Sequence, residues 1–521
     1  MARKIRTFLD DRRALIQYSD KDTVSGYRLL FGYLGYFMVI IGVICLLPLI
    51  ALIFYPSESY TFYWFLIPGA VSIIGGLALS LLIFKKKKGQ LQKLQDAVLV
   101  VAVWLVACLI SSIPFILSYT TEVIDGETVK IFLYQRDGSG NSFLAAFFES
   151  ISGWSTTGLT TNLDVTNSPK VLLLFRSITQ FFGGVGLVLI FTSAISDKMG
   201  MRLYTAEGHS DRLMPNLIKS ARLILGIYLG YIVVGTVALI LCGVGPFDAI
   251  NHSISAVSTG GFSTYSESLG HFNSMPGVNM LGVEIVICVL MILGGTNFLL
   301  PVLFFSRKFS SSFKHCESIV VAITLPIYCG LAFLFLWQSQ NFATDSEILS
   351  ECLRYGGFYP ISAMTTCGLA NAPSGGLEFA SGTVAFPSSV ILLLTILMLM
   401  GYGVGSTSGG IKQYRIIVLL KGLWYRFTSA FVPNDVVKTR FIWKTGERVK
   451  TTDEEFHDVS TFVVLYIILF GIGSLIYSIS GMSVDESCFN FASSISGVGL
   501  WIGTPVASCS PLVLISCMFG M

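Results

Sequence analysis

The sequence predicts an all-α polytopic membrane protein: an N-terminal helical hairpin followed by four helix, half-helix, helix repeats set about one axis. Three observations predict it. The chain of 521 residues is 53% hydrophobic and only 12% charged, with a mean hydropathy of +0.72, whereas soluble domains carry about 25% charged residues. Apolar runs of about 20 residues, enough to cross a bilayer, recur along it. Between them, a short patch rich in hydroxyls and glycine occurs four times.

Taken in order, the apolar runs lie near 29–54, 62–84, 97–119, 171–195, 223–243, 280–305, 318–337, 388–400 continuing brokenly to about 420, and 459–480. The first is too long, too far inside the chain and too poor in small residues at its end to be a removable signal peptide, so it is read as a retained helix. The patches are SGWSTTGL from Ser152, SAVSTGGF from Ser255, SAMTTCGL from Ser362 and SSISGVGL from Ser493. They align on Gly158, Gly261, Gly368 and Gly499, at separations of 103, 107 and 131 residues. The chain beyond residue 92 is therefore a fourfold internal repeat with two spans per unit. The expected division is a hairpin over 1–91 and repeats over 92–196, 197–310, 311–425 and 426–521.

Each patch is preceded by a short semi-apolar stretch, 143–154, 247–257, 348–364 and 488–495. About ten to fifteen helical residues enter a bilayer without crossing it. A stretch that leaves helical geometry at membrane depth needs protein or a water-filled path to satisfy its backbone, and four such breaks from one face most economically surround one axis. There, backbone carbonyls and Ser/Thr hydroxyls could replace a cation's hydration shell without a fixed charge to hold it too tightly. The four glycines allow the φ values that turn carbonyls inward, and the half-helices aim their negative dipole ends the same way. Ser152, Ser255, Ser362 and Ser493 are expected to tie the half-helices to their surroundings. A single small-residue patch would read as a helix contact of the GxxxG kind; four in register between paired spans favour the axial reading.

Lys and Arg concentrate in alternate segments: residues 3–13, 85–88, 198–222, 307–314 and 412–450. Cytoplasmic loops retain positive charge, so the expected topology has a cytoplasmic N-terminus and all four patches reached from outside. The formal charge of +3 is a topology signal, and without a basic stripe interleaved with aromatics no nucleic-acid partner is expected. The eleven cysteines are scattered without a C-x-x-C pair, which argues against a disulfide framework or zinc site. Cys367 stands apart because it lies within a patch.

Five glycines, Gly401, Gly403, Gly405, Gly409 and Gly410, fall in ten residues of the third repeat's second run. Each costs a helix about 1 kcal/mol, so the helix should break below the third patch and form a gating loop, with Lys412 able to occupy the path or repel ions from it. A phosphate-binding loop is excluded because Ile411 separates Gly410 from Lys412, and GGVG at 183–186 is read as close helix packing. Intramembrane ionisable residues are functional candidates by default, here Arg176, Glu149 and Glu284, with Asp248 and His252 by the second half-helix. Arg176 is expected to pair with a carbonyl or carboxylate, and His252 to be a satisfied packing residue. No catalytic constellation emerges, so an enzyme is not expected.

The patches STTGL, STGGF, TTCGL and SGVGL, with RSITQFFGGVG from Arg176 and GYGVGSTSGGIK from Gly401, resemble the Trk/Ktr/HKT superfamily of potassium transporters, specifically its TrkH type, over nearly the whole chain. The two spans before residue 92 resemble the extra hairpin that separates TrkH from KtrB proteins. The resemblance implies four M1–P–M2 units with pseudo-fourfold symmetry around one pore, a homodimer, a cytosolic TrkA-like nucleotide-binding ring, and a bacterial inner membrane location. It implies no cofactor, with K+ as the transported ion and Rb+ also accepted. The K+ filter would be Thr156, Thr157 and Gly158; Thr259, Gly260 and Gly261; Thr366, Cys367 and Gly368; and Gly497, Val498 and Gly499, largely through backbone carbonyls. Glycine at all four aligned positions implies K+ over Na+, since Ser in the first repeat accompanies Na+ selectivity in HKT relatives.

One departure is the end of the chain. The family's last M2 helix runs on and carries a basic residue near its middle, whereas the apolar segment from about Val506 is too short to span and stops at Met521. The expectation is a truncated fourth inner wall. The competing mechanism, Na+- or H+-coupled K+ transport by alternating access, is associated with inverted repeats; these repeats each contain an even number of spans and do not invert, which favours a pore.

Overall fold

The computed structural model describes residues 23–24, 27–83, 87–88, 93–124, 127–136, 140–186, 217–307, 309–310, 314–372, 377–379, 382–384, 386–429, 431, 441–444 and 446–521. The basic arm at 3–13, Lys85, Lys86, the far end of the run 171–195 and most of the basic loops 198–222 and 432–440 lie outside the described residues. The fold is mostly helical.

Helices α1 (Tyr27–Leu46) and α2 (Phe62–Ile83) form the N-terminal hairpin, joined by tight 3-10 turns. Both are apolar on every side, so their seam is set by small residues. A methyl group on Gly35 would fall 2.6 Å from the Gly76 carbonyl oxygen, and one on Gly42 would fall 2.7 Å from that of Gly69. Backbone therefore meets backbone, the close approach that glycine permits between membrane helices. The turn also reaches into the first repeat. The Glu58 carboxylate accepts the Lys170 and Val171 amides at 2.9 and 3.1 Å, satisfying orphan donors at the positive end of a helix.

The four repeats follow in one order. The first has α3 (Lys93–Leu117), half-helix α4 (Phe143–Trp154) and α5 (Lys170–Val185). The second has α6 (Leu217–Leu241), half-helix α7 (Pro246–Val257), and α8 (Met280–Gly295) with α9 (Leu299–Phe305). The third has α10 (Cys316–Ser339), α11 (Ser346–Met364), α12 (Ser388–Met400) and α13 (Gln413–Ser429). The fourth has α14 (Asp453–Ile479), half-helix α15 (Val484–Ser496) and α16 (Pro511–Gly520). Among the described residues, six helices are long and apolar enough to cross a membrane, or seven with the bent α8–α9 pair. Half-helices α4 and α7 have 12 residues each, about 18 Å at 1.5 Å per residue and well short of a ~30 Å hydrocarbon core.

One expected span is not continuous, and the break expected in another is present. The run 280–305 bends by 105° between α8 and α9, because Gly294 and Gly295 weaken the helix and Asn297 restarts it by accepting the Leu299 amide at 2.8 Å. The run from 388 breaks at Gly401, where φ is +63°. Three antiparallel hairpins absent from the sequence reading also occur: Tyr119–Ile124 with Glu127–Phe132, Leu377–Phe379 with Gly382–Val384, and Phe441–Lys444 with Glu447–Lys450. The largest buried cluster joins the N-terminal hairpin to repeats one and two, and a second joins repeats three and four. Val464, Leu465, Ile468 and Leu475 along α14 are exposed, an apolar face suited to lipid.

Candidate functional site

The candidate site is built from the ends of the four half-helices. In each repeat, the amide one residue before the aligned glycine donates to the carbonyl of the repeated serine: Thr157 to Ser152 at 2.9 Å, Gly260 to Ser255 at 2.8 Å, Cys367 to Ser362 at 3.0 Å and Val498 to Ser493 at 2.8 Å. The preceding residue donates to the next carbonyl, as Thr156 does to Gly153 at 3.2 Å. This paired closure is a Schellman motif, which requires a left-handed residue just past the helix end. That residue is Thr156 (φ +55°), Thr259 (+49°), Thr366 (+57°) and Gly497 (+61°). Glycine ordinarily occupies the position, and a β-branched residue there is a genuine conformational outlier.

Two residues on, the aligned glycines are left-handed again, with φ of +80° at Gly158, +78° at Gly261, +78° at Gly368 and +99° at Gly499. The four strands lie against one another in a closed circuit. A Cβ added to Gly158 would overlap the Gly260 carbonyl oxygen, one on Gly261 that of Cys367, one on Gly368 that of Val498, and one on Gly499 that of Thr157. Every clash is with the residue before the glycine of the next repeat, and the fourth repeat closes on the first. All twelve residues singled out from the sequence, 156–158, 259–261, 366–368 and 497–499, are thus gathered into one ring. One carbonyl is shared: the Gln180 amide of α5 donates to the Gly260 oxygen.

Two of the four serines tie their half-helix to the strand as expected and two do not. The Ser362 hydroxyl donates to the Leu369 carbonyl at 2.8 Å and Ser493 accepts the Gly499 amide at 3.0 Å, whereas the buried Ser152 and Ser255 hydroxyls have no hydrogen-bond partner among the described residues. Their carbonyls close the motif instead, so a short side chain that does not crowd the strand suffices.

The glycine-rich segment 401–412 passes beside this ring. Its ends are pinned: the Ile411 and Lys412 amides donate to the Leu399 and Met400 carbonyls at 2.9 Å each, and the Gln413 side chain donates to the Gly401 carbonyl at 2.8 Å. Its middle touches the left-handed threonines. Thr407 Oγ1 lies 3.0 Å from Thr259 Oγ1, the Gly409 amide donates to Thr366 Oγ1 at 2.7 Å, and a Cβ on Gly409 would overlap the Ser496 carbonyl. Gly401, Gly405, Gly410 and Lys412 have positive φ, and Gly403 approaches the Gly295 carbonyl, to which its amide donates at 3.2 Å. Phe298, in the α8–α9 bend, donates its amide to the Gly405 carbonyl at 2.8 Å. The two breaks in the inner helices therefore hold each other.

Behind the ring are two ion pairs, one buried and one half-buried. Arg176 Nε meets Glu149 Oε1 at 2.9 Å, and its Nη1 donates to the Ser263 carbonyl at 3.0 Å, which is the pairing expected for it. Glu284 pairs with Arg354 at 2.7 Å and accepts from Asn371 at 2.8 Å. His252 donates Nδ1–H to the Asp248 carbonyl at 2.8 Å and lies 2.9 Å from the Ser263 hydroxyl; the carbonyl can only accept, which fixes the neutral ring's tautomer. Sequence reasoning missed Arg354, Gln180, Thr407 and Glu317. The buried Glu317 accepts the Val404 amide at 2.8 Å and the Tyr414 amide at 3.2 Å, holding both ends of the glycine-rich segment. Gln180 and Thr407 carried a local signal, their places in the QFFGGVG and GYGVGSTSGGIK runs.

The family model TrkH, described as a cation transport protein, matches residues 84–326 and 355–519. An uncharacterised cation transporter of Methanocaldococcus jannaschii is 28% identical over 476 residues, 90% of this chain and 87% of the relative. The Trk system potassium uptake protein TrkG of Escherichia coli is 28% identical over 495 residues, 93% of this chain and 92% of the relative. The crystal structure of the potassium transporter TrkH from Vibrio parahaemolyticus superposes with a TM-score of 0.76 at 23% identity, covering 95% of this chain and 96% of that one.

Proposed function

Because the chain belongs to the TrkH family of cation transport proteins, we propose that it carries K+ into the cell through a gated, K+-selective central pore. The observation that carries this reading is the closed circuit of left-handed residues at 156, 158, 259, 261, 366, 368, 497 and 499. Left-handed residues alternating along a strand turn successive carbonyls to one side, and four such strands closed on themselves give a ring of oxygen ligands at the negative ends of four half-helices. A dehydrated monovalent cation is the ligand that such a ring suits. That potassium is the ion is supported by the relatives, two of which are named for potassium uptake or transport.

The segment 401–412 is the gate in this proposal, since it lies against Thr259, Thr366 and Ser496 and has Lys412 at its end. Its route to a regulator runs through α13. Lys421 donates to the Phe441 carbonyl at 2.9 Å, and Tyr414 donates to Glu455 at 2.6 Å, so the 441–450 hairpin and α14 both bear on the helix that follows the loop. A cytosolic nucleotide-binding ring of the TrkA kind would dock there, on a homodimer in a bacterial inner membrane with the N-terminus cytoplasmic. Repeats that do not invert support a pore over Na+- or H+-coupled alternating access. Single-channel recording of the purified chain in planar bilayers tests this: unitary currents reversing at the K+ potential are expected, and K+ turnover that has no unitary events and follows a Na+ or H+ gradient would overturn it.

A further inference from the structure

Nine residues before each ring glycine stand Glu149, His252, Tyr359 and Asn490. The four share no chemistry, being a carboxylate, an imidazole, a phenol and a carboxamide. They share a place and an environment: each is on its half-helix and 0 to 4% exposed. A polar group buried to that degree needs a hydrogen-bond partner. In every repeat the side chain meets the strand leaving the ring, and His252 also donates to the Asp248 carbonyl of its own half-helix. Glu149 Oε2 accepts the Thr161 amide at 2.9 Å and the Thr160 hydroxyl at 3.0 Å. His252 Nε2 accepts from the Ser263 hydroxyl at 2.9 Å. In the third repeat Tyr359 stands against the Ala372 backbone. Asn490 holds Ile502 twice, donating to its carbonyl and accepting from its amide, each at 2.9 Å.

The contacted residues lie two to four positions past the glycine in all four cases. The outgoing strand doubles back along its half-helix, so this side chain is the strut that sets their separation. We propose that these four residues are positioning residues, which fix the outgoing strands and through them the ring's preference among monovalent cations. A strand free to move outward lets the ring relax around whichever ion enters; a strand held at a fixed distance does not. The four struts are not independent. Arg176, paired with Glu149, also donates to the Ser263 carbonyl, joining the first strut to the second strand. Arg354, on the third half-helix, grips Glu284, which accepts from Asn371 on the third outgoing strand.

The proposal rests on the ring being the filter, so its test includes a variant of the ring itself. Full-length protein carrying Asn490→Leu, Ser263→Ala, Ser487→Ala or Gly499→Ser is purified, reconstituted into liposomes and assayed for Rb+ flux against Na+ flux. Asn490→Leu removes both bonds to Ile502, and Ser263→Ala removes the strut bond from the strand side. Each is expected to lower the Rb+-over-Na+ ratio about fivefold to tenfold, the scale of a lost hydrogen bond of order 1 kcal/mol. Asn490→Asp, which still accepts from the Ile502 amide, is expected to fall between. Ser487→Ala, equally buried on the same half-helix, keeps the ratio while reporting any general loss of stability. An unchanged ratio in Asn490→Leu or Ser263→Ala, with the ratio lost in Gly499→Ser, overturns the struts and leaves the filter reading intact. An unchanged ratio in all three overturns the filter reading and the struts with it. If Asn490→Leu does not yield folded protein, Ser263→Ala, a small change at a half-buried position, decides alone.

Discussion

Replacement of Gly368 by Ser has two calculable consequences. At φ +78° an L-residue costs about 1–2 kcal/mol relative to glycine. Its Cβ would also overlap the Val498 carbonyl and sit 3.0 Å from the Gly499 Cα. These are backbone atoms of the adjoining strand, with no flexible side-chain end to give way, and overpacking of this kind costs about 1–3 kcal/mol. Between about 2 and 5 kcal/mol of strain is thus available to push one carbonyl out of register. If only 1.4 kcal/mol of it falls on the difference between K+ and Na+, the preference drops tenfold. Gly158→Ser makes the same collision with the Gly260 carbonyl and should match it. The assay is Rb+ uptake into liposomes competed by Na+, with Gly357→Ser as control. Gly357 lies on the same half-helix as Gly368's strand, and a Cβ there meets nothing within 4 Å. Both ring variants should lose at least tenfold in Rb+ preference while the control keeps it. Unchanged relative Rb+ and Na+ fluxes in Gly158→Ser and Gly368→Ser would refute the assignment of these strands as the filter.

Deleting part of 403–409 should raise ion flux and make it insensitive to a cytosolic regulator while ion preference stays; normal regulated flux, or loss of preference as the main effect, would remove the loop as gate. Arg176→Met leaves the Glu149 carboxylate buried without its cation and should cost about 3–5 kcal/mol, read as a fall in thermal stability in detergent that a Glu149→Gln second change partly restores. Glu58→Ala should lower stability by about 1 kcal/mol, because the Lys170 and Val171 amides lose their acceptor. Purification in mild detergent should bring down a nucleotide-binding cytosolic protein through the basic surface around 421–450, and repeated recovery of the chain alone would count against that partner.

The hydrophobic runs located the helices, because burial in lipid leaves its mark on composition, and register among four patches located the ring. Composition could not reveal where a run stops being one helix. The 280–305 segment stays apolar through its bend, and only Gly294, Gly295 and Asn297 mark the break. The closure of each half-helix was likewise illegible, since Thr156, Thr259 and Thr366 are poor left-handed residues by local preference and are held there by the strands around them. Long-range partners left least trace. Arg354 reads as a loop cation until the fold brings it to Glu284, 70 residues earlier in the chain. The position occupied by Glu149, His252, Tyr359 and Asn490 carries four different residue types, so a search for repeated identity passes over it.

The circuit in which Gly499 closes on Thr157 has a genetic consequence. All four quarters of the ring come from one translation product, so cells making two alleles cannot assemble hybrid rings containing one, two or three altered quarters. A substitution at Gly368 changes every ring its allele encodes and none encoded by the other. Two-allele phenotypes should therefore be built from two discrete kinds of ring, even where the proposed homodimer pairs one of each, so that no hybrid ring blurs the contribution of each quarter.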